Sequence, residues 1–372
     1  CLSAPEVSTF PRFLEYHGRV AVSKSATHVV YNPLHGVYSL IRAAPALAGS
    51  SSKWGTATPG VARNLAGETW RTCAVRACSL PETQERRPMT EVKKTPDGIE
   101  IPPPGPNDVL YETREGFATI TLNRPTVLNA MNKNVQRLLY AALERAEADD
   151  DVKAVILTGA GRAFTAGGDL YSYLYPDDAP APSGMDNQMK IWEFPKPVIA
   201  AVRGHAVGQG FELAGVCDIT IAAEDARFGE VQIRHGGSPP ILIAPFLAGL
   251  KSAKEILLLG EQIDARAAQR MGLVNRVVPG DQLMPAAEAM ARKIANLPQG
   301  AVRRNKMLVN RVYLLAGFRE ALAYRDDPAI AATLEGADED RVGRERRREL
   351  SEGGWSAFKE GRGDATYRKE NK

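Results

Sequence analysis

The stretch KPVIAAVRGHAVGQGFELAGVCDITIAAEDARFGE, residues 196–230, decides how this chain folds. Its opening, KPVIAAVRG, carries the short apolar run of a buried strand. Residues 205–218, HAVGQGFELAGVCD, have the length and composition of a short buried helix, and CDITIAAEDARFG returns as a strand. Strand, glycine turn, helix and strand again predict an α/β fold, in which ligand sites lie where strands hand over to helices. Inside the predicted helix stands an acid, Glu212, among Ala, Val, Leu, Phe and Gly. A buried carboxylate is costly unless something compensates it, so this one calls for a chemical reason.

On the N-terminal side, VLYETREGFATITLN (109–123) predicts two strands around the Glu115-Gly116 turn, with Phe117, Thr119 and Thr121 alternating against Ala118, Ile120 and Leu122. NKNVQRLLYAALERAEADD (132–150) places Val135, Leu138, Leu139 and Ala142 at helical spacing behind Asn132, a plausible cap. VKAVILTG (152–159) predicts a buried strand ending in glycine. After about residue 250 the chain turns mostly helical, with SAKEILLLG, DARAAQRMG and DQLMPAAEAMARKIANL.

The whole chain, 372 residues with 24% charged and 44% hydrophobic side chains, has the composition of a globular enzyme. A net charge of +3 gives no bulk argument for nucleic acid, and no apolar run approaches the roughly 20 residues that span a bilayer. Cys1, Cys73, Cys78 and Cys217 show no metal-ligand spacing, which predicts a reduced compartment and no metal. Residues 1–88 differ from the rest: ten Lys or Arg against five Asp or Glu, weak periodicity, and no methionine before Met89. They are expected to lie upstream of a start at Met89 in a cytoplasmic protein. The alternative is a genuine leader and an organelle matrix. KKTPDGIEIPPPGPND (93–108) reads as a Pro/Gly linker, so that 89–107 connect to an organised domain at 108–300, followed by a helical region at 301–372.

Two glycine-rich turns are the candidates for chemistry: GRAFTAGGDL (161–170) and GHAVGQGFEL (204–213). Each follows a predicted strand, and the second opens a helix whose first N–H groups have no intrahelical partner. A pair of such amides can stabilise the negative charge that develops on a thioester oxygen. Taken singly, each turn is more simply a packing feature.

Taken together with ITLNRPTVLNAMN (120–132), KPVIAAVRGHAVGQGFELAGVCDITIAAEDARFGE and AAQRMGLVNRVVP (267–279), their order and spacing resemble the enoyl-CoA hydratase/isomerase family, the crotonases. The resemblance covers about residues 108–300 closely and leaves 1–88 outside. It implies a ββα spiral core with a C-terminal helical region, an acyl-CoA substrate that brings its own coenzyme A, and assembly as a trimer or a pair of trimers. It also implies an oxyanion site formed by the backbone amides of Gly168, after Ala166-Gly167, and of Gln209, between Gly208 and Gly210. Many relatives carry glycine where this chain has Gln209, whose side chain would narrow the pocket. Val127, Leu128, Ala166, Asp169 and Leu170 match the family's CoA contacts. Asp169 reads equally well as a helix cap. Basic residues near the end of the chain such as Lys359 are candidates to reach CoA phosphates or, more simply, belong to a solvated helix face.

Glu212 matches one of the two carboxylates that the family's hydratases use, and burial would suit it to proton transfer near neutrality. The bland alternative is a structural glutamate bonded to backbone amides. At the position of the second carboxylate stands Gln232, which can hold a water but cannot exchange a proton at pH 7. Glu230 is expected as a solvated or capping acid and His235 as a loop histidine, though either stands near enough in sequence to substitute. The resemblance therefore implies hydratase/isomerase chemistry with Glu212 as acid/base. Double-bond isomerisation by a single base and a catalytically weakened acyl-CoA binder are the alternatives. IRHGGSPPILIAPFLAGL (233–250) is expected to shape the acyl pocket.

Overall fold

A computed structural model describes residues 91–322 apart from 240, the backbones of four short strands before them, and short stretches between 328 and 356. Those four strands form two antiparallel hairpins, β1 (His28–Asn32) with β2 (Val37–Ile41) and β3 (Val61–Arg63) with β4 (Thr69–Arg71), within a unit spanning Cys1–Arg86. The second unit, Arg87–Lys372, carries everything that follows.

It opens with a two-residue hairpin, β5 (Lys93–Lys94) against β6 (Glu100–Ile101), inside the stretch read as a linker. The hairpin is fastened by Tyr175, whose hydroxyl accepts from the Lys93 amide at 2.8 Å and lies 2.7 Å from the Ile101 carbonyl. The next pair, β7 (Val109–Arg114) and β8 (Phe117–Leu122), is joined through Glu115 (φ 50°) and Gly116 (φ 81°). Two successive left-handed residues are what a tight hairpin matched to strand twist requires. Helix α1 (Lys133–Ala148) follows, capped by Asn132, whose side chain accepts from the Val135 amide at 2.9 Å.

Strands β9 (Ala154–Gly159), β10 (Val198–Val202) and β12 (Ile219–Ala223) run parallel to β8, and β15 (Arg276–Val278) closes the far edge. The six-stranded order is β15-β12-β10-β9-β8-β7. Period-two alternation gives each face its own core. Ile120, Leu122, Val155, Leu157, Ala200 and Val202 pack with Val135, Leu139 and Leu143 of α1; Phe117, Ile156, Ile199, Ala201 and Ile221 pack against Leu283, Ala287 and Ala291 of α6 (Leu283–Ala295).

The expected helix at 205–218 is shorter than its composition suggests. Residues His205–Val207 form a strand, β11, and helix α3 spans only Gln209–Gly215. The expected strand at 217–229 is likewise two strands. It breaks at Glu224-Asp225, where the Ala226 amide turns back to the Ala223 carbonyl, and resumes as β13 (Arg227–Gly229). Strand β13 leaves the large sheet and pairs with β11 and β14 (Ile263–Asp264) in a three-stranded sheet. Helices α2 (Gly184–Trp192), α4 (Ala244–Leu259, broken at Gly249), α5 (Ala265–Arg270), α7 (Gln299–Leu315) and α8 (Phe318–Leu322) complete the described architecture. No helix among the described residues is long and apolar enough to cross a membrane. Lys359 lies outside the described residues.

Candidate functional site

Both glycine turns are held by backbone pairing rather than by free loops. After β9, residues 163–169 run between two neighbours. On one side Thr165 pairs with Ala206 of β11 in a parallel bridge, and on the other Met131 pairs with Gly168. Leu128 (φ 51°) and Asn129 (φ 56°) are consecutive non-glycine residues in the left-handed region. That conformation costs about 1–2 kcal/mol per residue. Asn129 offsets it with its side chain, which donates to the carbonyls of Ala160 (2.9 Å) and Ala163 (2.8 Å) and accepts from the Arg124 amide (2.8 Å).

Along 164–169, this pairing and the Thr165 hydroxyl use up every amide with one exception. The Ala166 amide donates to Leu128 (2.9 Å), Gly167 to the Thr165 hydroxyl (3.0 Å) and Asp169 to Met131 (3.2 Å). Among the described residues, the Gly168 amide has no acceptor, and a Cβ built there meets nothing within 4 Å. The second turn has a similar amide. Gly208, at φ 55°, donates to Gly229 at 2.8 Å and swings the chain into α3, whose first amide, that of Gln209, has no acceptor among the described residues. The two turns touch: a Cβ at Gly167 (φ 87°) would lie 2.6 Å from the Val207 carbonyl oxygen and 3.2 Å from the Gln209 nitrogen. The Gln209 side chain lies across Gly184, the first residue of α2.

Glu212 follows one turn into α3 and is fully buried. One carboxylate oxygen accepts from the Gln188 side chain at 2.8 Å and the other from the Ile241 amide at 3.2 Å. Gln188 is itself fully buried on α2, and the sequence offers no signal for it: a glutamine in MDNQMKIW looks like the solvent face of a short helix.

The expectation of a solvated or capping Glu230 is corrected. Glu230 is 2% exposed and makes no side-chain cap to the 3-10 turn that follows it. Burial first, and then the charge of Glu212, hold its carboxyl well above the usual carboxylate range, while a hydrogen bond from Gln232 opposes them. Gln232 donates its Nε2 to Glu230 at 2.8 Å, and a Cβ built on Gly208 would lie 3.5 Å from the Gln232 side-chain amide. The His235 side chain lies outside the described residues.

The residues matched to CoA contacts divide. Ala166 and Gly167 belong to the turn itself, Val127 and Leu128 lie half-buried on the segment paired to it, and Leu170 is exposed. Asp169 caps no helix, because the next helical turn begins only at Ser172. Its carboxylate accepts from Arg124 at 2.8 Å and from the Tyr171 amide at 2.9 Å, a buried pair that anchors the far end of the turn.

Residues 112–324 match the family model for enoyl-CoA hydratase/isomerase. The chain is 38% identical over 210 residues to a probable enoyl-CoA hydratase of Mycobacterium bovis, which covers 55% of this chain and 82% of that protein. It is 36% identical over 213 residues to a short-chain-enoyl-CoA hydratase of Clostridium acetobutylicum, with 55% and 82% covered. A solved enoyl-CoA hydratase/isomerase from Xanthobacter autotrophicus superposes with a TM-score of 0.63 at 40% identity, over 69% of this chain and 97% of that one.

Proposed function

This chain belongs to the enoyl-CoA hydratase/isomerase family, and from that premise we propose that it reacts an enoyl-CoA thioester through an enolate held by the amides of Gly168 and Gln209, with Glu212 as acid/base. The observation that carries the reading is selective: along 166–169 each amide but that of Gly168 has an acceptor, and it stands beside a second turn whose leading amide is also free. Amides that need not reorganise stabilise charge as it develops on the thioester oxygen. Glu212 takes the proton from the attacking water, or moves one between carbons, while Gln188 and the Ile241 amide orient it. Val127, Leu128, Ala166, Gly167, Gly208 and Leu170 line the path of the thioester and its CoA, while Asp169 supports that path through Arg124. Coenzyme A arrives on the substrate, so the reaction needs no separate cofactor.

Assembly as a homotrimer, or a pair of trimers, is part of the same proposal. It is supported by Leu250, Leu258, Met307, Val312 and Leu315 of α4 and α7, each more than half exposed. The protein acts in the cytoplasm or, if residues 1–88 are a leader, in an organelle matrix.

The test is loss of crotonyl-CoA absorbance with purified protein, alongside a 3-enoyl-CoA and a panel of acyl-CoA thioesters followed by mass spectrometry. Hydration abolished by Glu212→Gln supports the reading. Turnover of the 3-enoyl-CoA alone makes the protein an isomerase, and binding without turnover makes it a catalytically weakened acyl-CoA binder.

A further inference from the structure

Position 232 lacks a carboxylate, but a buried carboxylate stands two residues away in a setting that structural needs do not explain. Glu230 follows β13 directly, and β13 is paired to β11 in a register that sets Gly229 opposite Val207, next to Gly208. The residue is therefore fixed beside the turn that presents the Gln209 amide. Its Oε2 is held by Gln232 at 2.8 Å, whereas its Oε1 has no hydrogen-bond partner among the described residues, and neither has the Oε1 of Gln232. The carboxyl caps no helix and forms no ion pair among the described residues. A buried polar group left half-satisfied is normally removed unless it has a use. Glu230 also feels the charge of Glu212, so the two acids share one electrostatic neighbourhood.

We propose that Glu230 is the second proton carrier of this site, doing from position 230 what a carboxylate at 232 would do, with the Gln232 amide holding it in place. This rests on the enolate reading above. In hydration, ionised Glu212 takes a proton from water as the water oxygen bonds to C3. The C2=C3 electron pair moves toward the thioester, leaving an enolate whose oxygen lies against the two amides. The enolate collapses, and C2 takes the proton from the Glu230 carboxylic acid. Water has then been added across the double bond. Glu212 is left protonated and Glu230 ionised, and the passage of one proton between them restores the starting state. A buried acid that holds its proton beside an ionised neighbour suits the donor's role. Gln232 is a positioning residue here, since it acts through Glu230.

The experiment compares wild type, Glu212→Gln, Glu230→Gln and the double variant Glu230→Gln/Gln232→Glu. It measures crotonyl-CoA hydration, butyryl-CoA binding and thermal melting in the full chain. The expected result is a loss of about 100-fold or more in kcat for Glu230→Gln, with KM, butyryl-CoA affinity and melting near wild type. The double variant, which returns a carboxylate to 232, should recover at least about tenfold over the single variant. If Glu212→Gln abolishes hydration while Glu230→Gln stays within about threefold of wild type, the role of Glu230 is overturned and the enolate reading stands. If Glu230→Gln loses activity together with butyryl-CoA binding and folding, and the double variant recovers none, Glu230 is structural and the proposal fails. A wild type that turns over nothing in the panel overturns both.

Discussion

Replacing Gly167 by alanine probes the contact between the two turns with a single methyl group. At φ 87° the alanine backbone pays about 1–2 kcal/mol for its left-handed conformation. Its Cβ would also stand 2.6 Å from the Val207 carbonyl oxygen and 3.2 Å from the Gln209 nitrogen. Both neighbours are backbone, fixed by the pairing of Thr165 with Ala206, so no side chain can swing aside. The turns must part by about 0.5 Å or more to reach a tolerable contact, which matches the tolerance to which a working constellation must be held. Losing one donor to an oxyanion costs about 100- to 1000-fold in kcat, or about 2.7–4 kcal/mol. The expected outcome is therefore a kcat for enoyl-CoA turnover lower by about 100-fold, with a stability loss of only about 1–2 kcal/mol in urea. Gly168→Ala is the control for folding: its Cβ meets nothing within 4 Å and its φ lies outside the left-handed region, so stability should change by less than about 0.5 kcal/mol. If Gly167→Ala retains kcat within about threefold while losing the expected stability, the two turns do not cooperate on one oxygen and the reasoning is refuted.

Gln188→Leu removes the side-chain donor to a buried carboxylate, worth about 1.5–3 kcal/mol for a bond to a charged group; kcat should fall about tenfold or more, and an unchanged rate would show that Glu212 needs no orienting partner. Asp169→Asn leaves Arg124 buried without its carboxylate and should cost about 3 kcal/mol in urea denaturation, whereas a neutral result would mean that Asp108, 3.8 Å from Arg124, already suffices. Glu230→Gln should alter how stability depends on pH. The carboxyl's folded pKa is raised, so its contribution is complete below the unfolded value of about 4.3 and is lost as pH rises through the folded value. Melting of wild type should fall relative to the variant as pH rises above about 4.3, and a constant gap across that rise would contradict a buried Glu230 with a raised pKa.

The large sheet was legible because its strands are apolar runs bounded by glycine, and α1 because its apolar period and Asn132 cap agree. The short elements were not. Strands β11, β14 and β15 hold two or three residues each, too few for any period, and they exist because backbone partners are supplied from elsewhere in the chain. The two turns and Glu212 stood out by composition, a glycine cluster and an acid among apolar residues. Gln188 and the buried state of Glu230 did not, since a polar residue next to others signals solvent unless the fold covers it. The ion pair of Asp169 was not legible for a similar reason: its partner, Arg124, lies 45 positions earlier, and nothing local announces the pair.

The bridge between Thr165 and Ala206 has a consequence for how such a protein can diversify. The free amides at 168 and 209 belong to distant parts of the chain, yet one rung of backbone pairing sets their spacing. The connecting stretch from 170 to 183 contributes nothing to that rung. It can change in length or chemistry and leave that rung in place, provided Tyr175 still fastens the β5–β6 hairpin and Ser183 still caps α2, the helix that carries Gln188.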